Sequence, residues 1–181
     1  AAYDYDAAIA VLDTFSGNIE DFNPLVVTRE HYVQTKETMV PWNDPTQIPN
    51  LSFHMLIAEP YRTFSNSGYG STWKWNFITT SEFSKILQQL YDNGYMLVDM
   101  DDIFTTTKAE DGATLIVQND LRLPAGKKPI VLTQEGVNYY SHTEACGGFA
   151  DRLTVSGGEL TCVWGESEGA YDLVPILNAF L

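Results

Sequence analysis

Lys127-Lys128-Pro129-Ile130-Val131-Leu132-Thr133-Gln134-Glu135-Gly136-Val137-Asn138-Tyr139-Tyr140 is an apolar run entered through a proline and left through a carboxylate, a glycine and a polar aromatic cluster. A short apolar segment with such boundaries predicts a buried strand. Glu135 then stands at the strand's end, where a carboxylate could act as a general base. The question is whether Glu135 serves a working site or remains from one that has lost its partners.

Working outward, Leu51-Ser52-Phe53-His54-Met55-Leu56-Ile57 reads as a second core strand. A long ring-rich loop follows, carrying Tyr61, Phe64, Tyr69, Trp73, Trp75 and Phe77. The spacing predicts a helix from Thr79 to Asn93: Thr79 and Glu82 form a capping box, Phe83, Ile86, Leu87 and Leu90 make one apolar stripe, and Gly94 supplies the stop. Tyr95-Met96-Leu97-Val98 is the next strand, Asp101 caps a short helix after it, and Thr114-Leu115-Ile116-Val117 reads as a further strand. The loop Leu123-Pro124-Ala125-Gly126-Lys127-Lys128 leads back into the opening segment. Strand, helix, strand and strand in this order predict an α/β fold with parallel pairing. Near the other end, Ala150–Val155 and Leu160–Trp164 form a hairpin across Ser156-Gly157-Gly158-Glu159, which sets Cys162 opposite Leu153.

Residues 1–48 form a separate N-terminal segment, helical over Tyr5–Leu12 and extended where Pro41, Pro45 and Pro49 space a linker; residues 49–181 form the main domain. The start Ala1-Ala2-Tyr3 fits processing or trimming. The apolar, helical Tyr171–Leu181 ends without a polar tail, which leads to the expectation that more protein follows.

The chain's 181 residues hold 10 Lys and Arg against 24 Asp and Glu, a net charge of -14. Such a chain repels phosphate backbones, so nucleic acid is excluded as a partner, while neutral ligands such as sugars are not. No apolar run of ~18 residues could span a membrane. Cys146 and Cys162 allow one disulfide, which the hairpin register neither requires nor forbids.

The chemistry narrows by elimination. His31, His54 and His142 do not lie at a spacing that lets one element present a ligand pair. His54 falls inside the buried strand pattern and reads as a hydrogen-bonded core histidine. Asp99-Met100-Asp101-Asp102 resembles a catalytic cluster, yet helix capping by Asp101 and a dipole interaction at Asp102 account for it. Neither cysteine has an oriented histidine partner, and Gly-x-Ser-x-Gly is absent. Trp73-Lys74-Trp75-Asn76-Phe77 alternates, so in extended form its three rings share one face and could stack on sugars; core packing explains the same pattern equally well. Asn50-Leu51-Ser52 matches a glycosylation sequon but leads straight into the strand.

Several segments, in order, resemble the NodB-type polysaccharide deacetylase family, particularly its secreted Firmicutes forms. Ile48-Pro49-Asn50-Leu51-Ser52-Phe53-His54 stands where the family opens with a strand ending in Tyr/Phe-His. Glu82-Phe83 through Asn93-Gly94-Tyr95 matches its Glu-Phe helix and Asn-Gly-Tyr stop, and Val98-Asp99-Met100-Asp101-Asp102 matches the next strand end. Leu123-Pro124 to Lys127-Lys128-Pro129, Val131-Leu132-Thr133, and Gly148-Phe149-Ala150 through Tyr171-Asp172-Leu173-Val174-Pro175-Ile176-Leu177 continue the likeness. It covers about residue 41 to the end.

The resemblance implies part of a distorted (β/α) barrel and removal of acetyl groups from N-acetylglucosamine-type polymers. It implies a divalent metal such as zinc, a bacterial secreted or envelope location, and a glycan or peptidoglycan-type partner. The family's first motif, Thr-Phe-Asp-Asp-Gly or Ser-Gln-Asp-Asp-Val-Asn-Tyr-Tyr, supplies a base and a metal-binding aspartate; two histidines come from a later His-x-x-x-His. Aligned on Val137-Asn138-Tyr139-Tyr140, Glu135 takes the base position and Gly136 the ligand position. Glutamate's extra methylene moves the oxygens by about an ångström, a misplacement that can cost ~10²-fold in rate. Glycine offers no side-chain donor, and the histidine pair is absent. The expectation is a deacetylase-like chain that binds no metal of its own and is inactive by itself. Tyr69, Trp73, Trp75, Asn138 and Tyr139 are its substrate-contact candidates. The rival expectations are a noncatalytic glycan-binding module, and a structural piece that associates with itself or with a missing C-terminal half.

Overall fold

The computed structural model describes residues 4–15, 23–65, 68 and 70–181. Along the chain lie α1 (Tyr5–Asp13), α2 (Asn23–Glu37), β1 (Val40–Pro41), β2 (Asn50–Phe53), α3 (Pro60–Phe64), α4 (Gly70–Asn76), α5 (Thr80–Asp92), β3 (Tyr95–Leu97) and α6 (Met100–Ile103). There follow β4 (Phe104–Lys108), β5 (Thr114–Gln118), β6 (Arg122–Leu123), β7 (Lys128–Gln134), α7 (Ser141–Cys146), β8 (Arg152–Ser156), β9 (Glu159–Trp164), β10 (Ser167–Gly169) and α8 (Leu173–Phe180). The fold is mixed α/β, its strands lie in several small sheets, and the described residues form no closed barrel. No helix among them is long and apolar enough to cross a membrane.

Two units divide the chain: Ala1–Pro49 with Gly94–Val131, and Asn50–Asn93 with Leu132–Leu181. In the first, the parallel pairing expected from the element order is present. β3 runs alongside the start of β7 with Tyr95 opposite Lys128 and Leu97 opposite Ile130. Met96, Ile103, Leu123, Ile130 and Val131 are buried there. The proline-spaced stretch is not a plain linker. Pro41 pairs with Arg122 in the β1–β6 ladder, and Pro45–Gln47 forms a 3-10 turn capped by Asp44. α1 and α2 carry Asp13–Arg29 and Asp6–Lys36 ion pairs, both solvent-exposed and therefore of small energetic weight. After β3, Asp99 rather than Asp101 caps the short helix, and Asp102 completes a capping box. The cap shifts because Asp99 keeps extended backbone (ψ 154), the conformation from which a side chain reaches the following N–H groups.

In the second unit, the strand expected over Leu51–Ile57 stops at Phe53, and the fully buried residues Met55, Leu56 and Ile57 lie beyond it. Ile57 instead makes single bridges to Thr79 and to Phe149. The expected long loop holds two short helices, α3 and α4. α5 matches its expectation closely. The Thr79 hydroxyl accepts from the Glu82 N–H at 3.1 Å, and the Glu82 carboxylate accepts from the Thr79 N–H at 2.8 Å, which holds Glu82 below the usual carboxylate range. Phe83 and Leu87 on its inner stripe pack with Leu56 and Leu173. The β8–β9 hairpin has the expected register, Leu153 opposite Cys162, and both cysteines are free thiols.

Two substitutions separate the cap from the core. Thr79→Ala should lower the unfolding free energy by ~1 kcal/mol, and Phe83→Ala by ~3–5 kcal/mol. Urea denaturation followed by far-UV circular dichroism measures both.

Candidate functional site

β7 delivers the candidate residues to one end of the second unit. Glu135 follows its last residue, and the Glu135 N–H donates to Phe53 O at 2.7 Å, continuing the contact with β2. The side chain is exposed, and Oε1 accepts a hydrogen bond from the Ser52 hydroxyl. Gly136 has φ +67, in the left-handed region that glycine adopts without strain. A Cβ built there would stand 3.9 Å from His54 Nδ1. Position 136 and His54, separated by more than eighty residues of sequence, are thus neighbours.

His54 differs from its expected place. It is exposed, not a core histidine, because the chain leaves the strand at Phe53 and turns the ring outward against Phe77, with ring centroids 5.2 Å apart. Next along the chain, Asn138 donates from Nδ2 to the Tyr140 hydroxyl, and the Tyr140 ring stacks on His142 at 5.3 Å and 17°. Asn138, Tyr140 and His142 are all exposed.

Tyr139 points the other way, and φ +45 at a non-glycine residue accompanies that turn. Its hydroxyl donates to Asp172 Oδ2 at 2.8 Å, and Gln134 Nε2 donates to the same oxygen at 2.9 Å. Asp172 Oδ1 accepts from the backbone N–H groups of Leu56 at 3.0 Å and Leu173 at 2.8 Å. This carboxylate, 1% exposed, therefore accepts four hydrogen bonds and caps α8. Burial, followed by the charge of Asp172, pushes the Tyr139 phenol far above its ordinary range. The same two causes, in the same order, push the buried Cys162 thiol up to about 11. Sequence reasoning missed Asp172. The available signal was an Asp immediately before an apolar run with a proline in its first turn, the usual mark of a helix start.

The ring-rich segment is corrected outright. Trp73, Trp75 and Phe77 do not share a face, because α4 is helical and residues two apart on a helix point about 200° from each other. Trp73 is 4% exposed and packs with Met55, Ile57 and Phe149, joined by Phe77 one turn on. Trp75 is 84% exposed. Tyr69 lies outside the described residues.

Among the described residues, no three His, Cys, Asp or Glu side chains come together as a metal-holding group. Position 136 adds none, being glycine. These side chains do not fit the divalent cation that the resemblance implies. Comparisons with protein-family models, with curated proteins and with solved structures give no match.

The Asp172 cluster has two measurable consequences. Asp172→Ala strands four donors at once and should cost ~3 kcal/mol or more in urea unfolding, given ~1–3 kcal/mol for each buried donor left unsatisfied. The alkaline limb follows from Cys162. Above its ordinary value of 9.0 the thiol ionises in the unfolded chain while the fold keeps it protonated up to about 11. Its contribution is therefore intact below pH 9 and is lost as pH rises toward 11. Denaturation midpoints should fall across that window, and in Cys162→Ala the fall should begin later, above pH 10, where Tyr139 takes over.

Proposed function

We propose that this chain is a polysaccharide deacetylase-like protein of the bacterial secreted or envelope kind, built on part of a distorted (β/α) barrel, that does not by itself carry out the family's metal-dependent hydrolysis. The observation that carries the reading is the pair of residues ending β7. Gly136 occupies the ligand position beside His54 Nδ1 with no side chain to offer. Glu135, at the base position, has its carboxylate engaged by the Ser52 hydroxyl. A glutamate there keeps the negative charge of the family's base, and the exposed Asn138, Tyr140 and His142 that follow it in sequence are polar and aromatic groups suited to sugars.

Trp75 favours a second reading, a noncatalytic glycan-binding module. A fully presented indole can cover the apolar face of a sugar ring. Trp73 does not share that role, since it is part of the core.

Acetate release from chitooligosaccharides, with zinc or cobalt added, should remain at background for the purified chain. Turnover that disappears in Glu135→Gln would overturn the first reading. For the second, tryptophan emission should shift on glycan addition and the shift should vanish in Trp75→Ala. Trp73→Ala should instead lower stability by ~3–5 kcal/mol, as expected for loss of a large core ring. An emission spectrum unchanged across a broad glycan panel would remove the binding reading.

A further inference from the structure

From Glu135 to His142 every residue is exposed except Tyr139. A stretch that buries so little is held at its ends and at whatever anchors its middle. At one end the Glu135 N–H donates to Phe53 O at 2.7 Å. At the other, Thr143, 1% exposed, donates to Tyr140 O from its N–H at 2.9 Å and from its hydroxyl at 2.7 Å. Between them Tyr139 is the single side chain that turns inward.

The backbone there is strained. Among the described residues Tyr139 is the one non-glycine residue in the left-handed region, at φ +45. A bulky side chain is rarely found in that conformation, and such strain persists only where the surroundings over-determine it. Two contacts do so. The ring packs against the cluster of Met55, Ile57, Trp73 and Phe149, and the hydroxyl donates to Asp172 Oδ2 at 2.8 Å. Gln134, on the near side of the stretch, donates to the same oxygen at 2.9 Å. Residues 135–138 therefore form a loop closed by two hydrogen bonds on one buried carboxylate oxygen. On the outer side, Asn138 Nδ2 donates to the Tyr140 hydroxyl, and the Tyr140 ring stacks on His142.

We propose that Tyr139 is a positioning residue, whose hydroxyl, held by Asp172, sets the outward geometry of Asn138, Tyr140 and His142 while Tyr139 itself touches no ligand. The ligand class, a neutral N-acetylated sugar chain, rests on the deacetylase-like reading above; the positioning rests on the hydrogen bonds alone.

Tyr139→Phe keeps the ring and removes the hydroxyl. In the full chain, amide exchange followed by NMR should quicken ~10-fold or more at Glu135 and Asn138, as loss of a hydrogen bond to a charged acceptor implies. The His142 ring protons should lose the chemical shift that stacking on Tyr140 gives them. Thr79→Ala, which weakens the same unit without touching this stretch, should move neither signal. Gln134→Met removes the other donor and should quicken the same two amides, which keeps the test intact if Tyr139→Phe does not fold. Signals unchanged in the folded variants, or moved equally by Thr79→Ala, would overturn the proposal. Titration with chitooligosaccharides separates the two claims. Binding that weakens ~10-fold in Tyr139→Phe supports both, and equal binding by both chains defeats the positioning role. A wild-type chain that binds none defeats the sugar reading, and the exchange rates then decide the positioning role by themselves.

Discussion

The second unit depends on one buried carboxylate. Asp172 draws a donor from each of four separate places: the segment after β2, the end of β7, the turn beyond it, and the start of α8. A buried anion is tolerable only when its lone pairs are filled. Here two backbone N–H groups, an amide and a phenol fill them. The same arrangement fixes which way Tyr139 points, and therefore which of the residues after Gly136 face solvent. Burial first, and the Asp172 charge second, hold the neighbouring Tyr139 phenol and Cys162 thiol in their neutral forms into the alkaline range.

At the end of β7, geometry and chemistry part company. The backbone brings position 136 against His54 and sets Glu135 beside Ser52. A glycine at φ +67 makes that turn without strain, and it contributes no side chain to the neighbourhood of the imidazole.

The first unit contrasts with this tightly cross-linked arrangement. Its buried residues gather on β3, α6, β6 and the first half of β7. α1 has no buried residue, and every residue of β5 is exposed. Parts of the chain that bury so little owe their order to local capping, ladder hydrogen bonds and surface ion pairs, each worth little alone.

The sequence by itself determined the features that depend on near neighbours. The Thr79–Glu82 capping box, the Phe83–Leu87 stripe and the Leu153–Cys162 register were legible because a helix cap, a helix face and a two-residue hairpin turn are settled within a few residues. Tertiary structure decided the rest. The alternation in Trp73-Lys74-Trp75 suited a strand as well as a helix, and only packing against Met55, Ile57 and Phe149 made it a helix with one indole in and one out. His54 faces solvent because the strand ends at Phe53, short of the Ile57 that its hydrophobic pattern suggested. Asp172 became central because segments more than a hundred residues apart converge on it, and convergence at that range is not encoded in any local period.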